Sequence, residues 1–247
     1  MTEILKFQSI LNGLHTVVCR AESTIMKYYK MEEVKSRIKY DGTSVTEADI
    51  KSERMIISAL KSFNPQIPII SEEQTNVQLR RGGLYDGDDS ETRTFWLVDP
   101  LDGTEAFMPK EDRFTINIGL IQNSKPVLGV IYFPARDMLY SGISGLQAQL
   151  QPNASRNDKF KTVQVKTRSC SDRDQLIALL DSEISDISKP DILLRKMKIS
   201  KRLMGKNTHK LCGVATGEID ASTITKSFEW DTAAGRAILK GVGGNVN

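Results

Sequence analysis

At the start of the chain, apolar residues recur at helical spacing: Ile4, Phe7, Leu11, Leu14, Val18 and Ile25. That spacing puts them on one stripe and predicts a long amphipathic helix over 3–30. A polar turn around Asp41-Gly42 follows, and Thr46 then stands three residues before Asp49. This is the spacing of a capping box, and it predicts a second helix running to about Phe63. The period then shortens. Ile67, Ile69 and Ile70 form a brief apolar run into Ser71-Glu72-Glu73, and Phe95-Trp96-Leu97-Val98 forms another into Asp99. Both read as strands, separated by a Gly-, Asp- and Arg-rich exposed loop over 80–93. Two further strands are predicted at Thr115–Ile121 and Val127–Phe133, joined by a turn at Asn123-Ser124.

Beyond Phe133 the pattern weakens. Residues 134–160 are turn-rich, and the domain boundary is placed there. This gives an N-terminal α+β domain over 1–145 and a C-terminal α/β domain over 146–247. In the second part Thr162–Val165 reads as a strand, Asp172–Leu180 as a helix and Leu211–Ala215 as an apolar run. From Asp231 a helical pattern returns with Ala234, Ala237 and Ile238. Helices alternating with strands define a layered α/β fold.

Composition narrows the function only a little. The chain has 247 residues, 39% of them hydrophobic and 26% charged, as in a globular domain with a sizeable core. A net charge of +3 fits an anionic metabolite and requires no nucleic acid. No apolar stretch reaches membrane-spanning length, and the N-terminal MTEILKFQSI lacks the apolar core of a secretory signal. Cys19, Cys170 and Cys212 are odd in number and far apart, which points to a reducing cytoplasm rather than a disulfide framework. With only His15 and His209 in the chain, zinc chemistry and a Ser–His–Asp triad are poor candidates. The Lys- and Arg-rich stretch 189–210 reads as a solvated surface or as a basic wall to an anionic pocket. P-loop and Rossmann glycine patterns are absent from the sequence.

The chemistry concentrates in Asp99-Pro-Leu-Asp-Gly-Thr104. A strand that ends in two carboxylates and then a Gly-Thr turn supplies hard oxygen ligands beside backbone N–H groups. Asp-Pro and Asp-Gly are also ordinary turn dipeptides, so the motif gains weight only with other acids. Glu72 follows a second strand, and Asp231 falls in the first turn of a late helix. An α/β layered fold gathers strand ends and helix starts at one edge. Acids converging there repel unless cations hold them, and an oxygen-only set selects Mg²⁺, Mn²⁺ or Ca²⁺.

DPLDGT with Phe107, the upstream Glu72-Glu73 and the downstream Trp230-Asp-Thr-Ala-Ala-Gly235 resemble the Mg²⁺-dependent phosphatases of the inositol monophosphatase superfamily. Lys39 to Asp49, and Arg202 through Cys212 to Asp220, are similar to its flanking segments. The resemblance spans roughly residues 35 to 244 and is strongest to the 3'(2'),5'-bisphosphate nucleotidases of the CysQ type. It implies an alternating α-β-α-β-α sandwich of the inositol monophosphatase and sugar phosphatase type. It also implies removal of the 3'-phosphate of adenosine 3',5'-bisphosphate to give AMP, with two to three Mg²⁺ ions, or Mn²⁺, and sensitivity to Li⁺. By the same resemblance, Glu72, Asp99 and the carbonyl of Leu101 hold a first ion; Asp99, Asp102 and Asp231 hold a second; Asp49 and Glu72 serve a third. Asp49, Thr104 and Glu72 are then the catalytic set. Gly103, Thr104, Lys210 and Asp231 contact substrate.

The chain departs from the nucleotidase pattern at Glu105-Ala106, where Lys-Glu is usual, and at Lys206-Asn207-Thr208, where Gly-Ser-Ser is usual. It stops at Asn247, where family members run on, so the C-terminal sheet and helix are expected to be incomplete. Two alternatives stay open: the same metal chemistry on inositol monophosphate or another sugar phosphate, and a truncated non-catalytic member that binds a protein or RNA partner. The expected protein is a cytoplasmic monomer or homodimer, or one peripheral at the inner membrane, acting on a small phosphorylated substrate without nucleic acid or a membrane span.

Overall fold

A computed structural model describes residues 3–39, 42–74, 94–155, 163–169, 176–180, 199–204, 209–224 and 227–246. Helix α1 spans Glu3–Tyr29 and α2 spans Glu47–Phe63, as their apolar stripes predict. Between them β1 (Ser36–Ile38) and β2 (Ser44–Thr46) form a small antiparallel ribbon. The start of α2 is fixed by a reciprocal cap. Thr46 Oγ1 accepts from the Ala48 N–H at 3.1 Å, and the Thr46 N–H donates to Asp49 Oδ2 at 2.8 Å.

The central sheet has seven strands in sequence order. They are β3 (Ile69–Ser71), β4 (Thr94–Asp102), β5 (Thr115–Gln122), β6 (Lys125–Phe133), β7 (Met138–Ile143), β8 (Gln147–Pro152) and β9 (Val163–Gln164). β3 pairs parallel with β4, and every later pair is antiparallel. The β5–β6 hairpin turns through Asn123 and Ser124, both at positive φ (51° and 58°), the conformation a two-residue hairpin loop needs.

Strand alternation gives the sheet two working faces. Trp96, Val98, Ile116, Ile118, Leu128 and Val130 pack against α1 and α2 in one core. Leu97, Ile121, Ile131 and Phe133 point the other way, toward α5 (Glu229–Gly241) and α4 (His209–Thr216). On that face the middle strands carry a stripe of Gly119, Gly129 and Gly142, each directly opposite the next. Helix α5 presses into the stripe. A Cβ built on Gly129 would lie 2.1 Å from the Ala234 carbonyl oxygen, and one on Gly142 would lie 2.7 Å from Ile238 Cα. Alanines at 233, 234 and 237 are the helix's answer to the same close approach. A second, parallel sheet orders β11 (Ile199–Met204), β10 (Leu176–Leu180) and β12 (Ala221–Ser222).

Two expectations differ from the structure, the turn-rich stretch and the helix over 172–180. Residues 134–160 were expected to be turn-rich, but β7 and β8 lie there. Position 145 falls in the turn between these two strands of one sheet. Leu176–Leu180, expected at the end of a helix over 172–180, is a strand. The apolar run Leu211–Ala215 belongs to α4. The loop over 80–93, Cys170 and residues 206–208 lie outside the described residues. Among the described residues no helix is long and apolar enough to cross a membrane.

Candidate active site

The acids arrive by three routes. Asp99 and Asp102 come from the end of β4, where the register against β5 shifts between them. Such a bulge bends the strand and re-aims its side chains, and it tolerates Pro100, which has no N–H to give the ladder. Asp99 still pairs with Asn117, and Asp102 pairs with Thr115. Glu72 follows β3 directly, at the first residue of a helical turn. Asp231 lies in the first turn of α5, where its Oδ2 accepts from the Phe228 N–H at 2.8 Å. The position of α5 on the glycine stripe therefore decides where Asp231 stands relative to the β4 acids.

Three of these carboxyls, on Asp99, Asp102 and Asp231, are shifted by burial and by their neighbours' charges. Burial pushes Asp99 well above the usual carboxylate range, and the charges of Glu72, Asp102 and Asp231 push it further. Burial, then Asp231 and Glu72, do the same to Asp102. Asp231 is raised to about 6, first by burial. The Asp99 carboxyl lies beside those of Glu72 and Asp231. Among the described residues, no three Asp, Glu, His or Cys side chains are drawn together tightly enough to hold a metal ion as they stand. Even so, an oxygen-rich set of mutually repelling acids is a donor set suited to a hard divalent cation.

A second group adjoins the first. The Thr104 hydroxyl lies 3.0 Å from Asp49 Oδ1 and 3.2 Å from the Leu101 carbonyl oxygen. It has one proton, and the shorter contact gives that proton to Asp49. Asp49 is 1% exposed, and burial raises its pKa against the hydrogen bonds from Thr46 and Thr104. Gly103, at φ +86°, makes the turn that starts the four-residue helix α3 (Thr104–Phe107), and its N–H is directed at the Asp102 carboxylate. A side chain there would be strained and would also meet the Arg113 carbonyl at 2.9 Å. Lys210 is buried in the first turn of α4, the helix that packs against α5.

Several supporting residues were not singled out from the sequence. Lys39 Nζ reaches Glu72 Oε1 at 2.5 Å and Glu73 Oε1 at 2.8 Å. Burial alone would lower the pKa of this lysine, but the two carboxylates outweigh it and hold the pKa above its usual value. Glu73 nonetheless rises to about 7, chiefly through burial. Asn117 is fully buried, donates to Asp102 Oδ2 at 3.0 Å and accepts from Thr115 Oγ1 at 3.1 Å, so it fixes the orientation of Asp102. Glu53 accepts from Ser71 Oγ and the Gln74 N–H and so braces the exit from β3. One signal was readable. Asp49 and Glu53 share the helical stripe of Ile56 and Leu60, and acids on a core stripe are rarely decorative.

The raised carboxyls fix a pH dependence. Groups whose folded pKa exceeds the unfolded value bind more protons in the folded state, so stability falls as pH rises through the interval between the two. Here that interval runs from the ordinary carboxylate range up to about 6 for Asp231 and about 7 for Glu73. Chelator-treated protein is expected to lose roughly 5 °C of Tm between pH 5 and 7.5, measured by calorimetry. A Tm that rises over this range would contradict the buried acid cluster.

The sheet between helix layers, with acids from two strand ends and a helix start at one edge, defines a layered α/β fold with a carboxylate-rich site. The chain belongs to the inositol monophosphatase family, whose model matches residues 6–247. It is 32% identical over 243 residues to a 3'(2'),5'-bisphosphate nucleotidase CysQ of Buchnera aphidicola, covering 97% of this chain and 84% of the relative. It is 30% identical over 211 residues to the CysQ of Escherichia coli K12, covering 85% and 78%. The crystal structure of CysQ from Bacteroides thetaiotaomicron superposes with a TM-score of 0.73 at 30% identity, covering 97% and 88%. An inositol monophosphatase from Anabaena shares the fold, with a TM-score of 0.70 at 23% identity over 96% of this chain and 83% of that one.

Proposed function

We propose that the chain is a Mg²⁺-dependent phosphomonoesterase that converts adenosine 3',5'-bisphosphate and water to AMP and phosphate. The observation that carries this reading is the convergence of Glu72, Asp99, Asp102 and Asp231, in which burial and neighbouring charge raise the three aspartates, beside a Thr104–Asp49 hydroxyl–carboxylate pair. The nucleotide substrate is supported by relatives named as bisphosphate nucleotidases over most of this chain.

Glu72, Asp99 and the Leu101 carbonyl would hold one Mg²⁺, and Asp99, Asp102 and Asp231 a second, with Asp49 and Glu72 serving a third. Bound Mg²⁺ supplies a lowered water pKa and charge neutralisation for a phosphoryl group. The protein's own residues do the rest. Because the Thr104 hydroxyl donates to Asp49, its oxygen lone pairs are left to accept a proton from a water aimed at phosphorus. The proton passes along that hydroxyl to Asp49, whose burial favours its protonated form. The water oxygen bonds to phosphorus as the ester bond to the 3' oxygen breaks, and that oxygen leaves as the free alcohol by taking a proton from solvent water, while Asp49 returns its proton to solvent. The Thr104 N–H and the side chain of Lys210 would steady the phosphate, with Asp231 beside them, and Gly103, whose N–H serves Asp102, would let the chain approach it closely.

The test is phosphate release from adenosine 3',5'-bisphosphate, inositol 1-phosphate and fructose 1,6-bisphosphate, with Mg²⁺ and with added Li⁺. Mg²⁺-dependent, Li⁺-inhibited turnover of the nucleotide is expected, at a kcat/KM at least about tenfold above the others. Turnover of inositol phosphate alone would overturn the substrate assignment. Folded, Mg²⁺-binding protein that turns over none of the three would overturn the reading as a whole.

A further inference from the structure

The start of α5 breaks a local rule. The N-cap residue is Phe228, which has no side-chain acceptor for the helix N–H groups, where Ser, Thr, Asp or Asn would stabilise the helix. Its ring is also 48% exposed, so an apolar surface faces water as well. Both costs fall three residues from Asp231, and the Phe228 N–H is bonded to the Asp231 carboxylate at 2.8 Å. Departures from local preference of this kind concentrate at functional positions.

The ring is held firmly. It stacks on Trp230 with centroids 4.9 Å apart and planes 18° from parallel. Trp230 is 8% exposed and packs with Leu97, Ile121 and Ala233 on the α5 face of the sheet. Phe228 thus lies with one face on a buried indole and about half of its surface exposed. A flat ring backed by a second ring has little freedom to lose when a planar ligand lands on it.

We propose that Phe228 is the platform on which the purine base of the substrate stacks. The inference rests on the nucleotidase reading and deepens it by naming a base subsite next to the phosphate end of the site. Stacking tolerates different bases because every base presents a π face, so the subsite selects a nucleotide over a sugar phosphate rather than one base over another. It also explains how this site could prefer nucleotides despite the departures at Glu105-Ala106 and Lys206-Asn207-Thr208, since it involves none of them.

The experiment compares kcat/KM for adenosine 3',5'-bisphosphate with that for ribose 3,5-bisphosphate, which carries both phosphates and no base. Wild type is expected to favour the nucleotide. Phe228→Leu keeps an apolar cover on Trp230 without an aromatic face and is expected to lower that preference by about tenfold, mostly through KM. Phe228→Trp is expected to retain it. Titration with AMP is expected to change the tryptophan emission of wild type saturably, ribose 5-phosphate is not, and the leucine variant is expected to lose the response. An unchanged substrate ratio in Phe228→Leu, in protein with a wild-type Tm, would overturn the platform while leaving the nucleotidase reading in place. Wild type that turns over inositol 1-phosphate but neither of these two substrates would overturn both.

Discussion

Replacing Asp102 by asparagine is expected to abolish turnover and, at the same time, to stabilise the metal-free protein. The two effects have one cause. Asp102 stands in a half-buried cluster where desolvation, Asp231 and Glu72 already disfavour its charge. Asparagine has nearly the same shape as the protonated acid. Its Oδ1 can still accept from Asn117 Nδ2, as Asp102 Oδ2 does now at 3.0 Å. The side-chain volume is kept, and one repulsive charge is removed. Tm in chelator at pH 7.5 should therefore rise by about 2–4 °C, and the decline of Tm between pH 5 and 7.5 should become shallower. Catalysis responds the other way, because an amide is a poor substitute for a carboxylate on Mg²⁺. Loss of several kcal/mol of charge stabilisation in the transition state corresponds to a fall in kcat of at least about a thousandfold. A variant within tenfold of the wild-type kcat would remove Asp102 from the ligand set. An inactive variant with lowered Tm would show that the acid serves the fold instead.

Much of this arrangement could be read from the chain, because the residues that carry it obey strong local rules. α1 and α2 follow from apolar stripes, and the Thr46–Asp49 spacing marks the start of α2. Strands β4, β5 and β6 are apolar runs bounded by turn residues. The misread parts have weaker physics. Gln147–Pro152 alternates too little to be recognised as a strand, because only two of its six residues, Ala148 and Leu150's neighbour Gln151, are buried. Leu176–Leu180 is a continuous apolar run, and periodicity alone cannot separate a buried strand from a helix there. Within the site, the acids at strand ends and at a helix start were visible because their positions follow from the elements themselves. Lys39 was not, because its partners Glu72 and Glu73 are far along the chain and only the folded β1–β2 ribbon brings the lysine to them. Asn117 carried a signal that could have been used. An amide inside the apolar run Thr115–Gln122 must find a buried partner, and it finds Asp102.

Substituting alanine for Gly129 is expected to damage both the fold and the site, through the backbone of a helix that never touches it by side chain. Gly129 is the middle of the stripe that receives α5, and the added methyl would fall 2.1 Å from the Ala234 carbonyl oxygen and 2.7 Å from Ala234 Cα and C. These are main-chain atoms in the interior of a helix, so no side-chain rotamer can clear the clash. Either the strand bows or α5 lifts. Overpacking of this kind costs about 1–3 kcal/mol even when a core can adjust, and the contact here offers no flexible atom. A Tm loss of roughly 5–10 °C is expected by calorimetry. The second consequence is specific to the site. α5 carries Asp231 in its first turn and Trp230 beside it, so lifting the helix draws that carboxylate away from Asp99 and Asp102. The variant should need more Mg²⁺ for half-maximal activity, by about tenfold or more, and excess Mg²⁺ should recover part of kcat, because the ligands are displaced rather than deleted. Asp102→Asn should show no such recovery. If Gly129→Ala keeps the wild-type Tm and Mg²⁺ dependence, the glycine stripe does not set the height of α5, and Asp231 must be held by its bond to Phe228 alone.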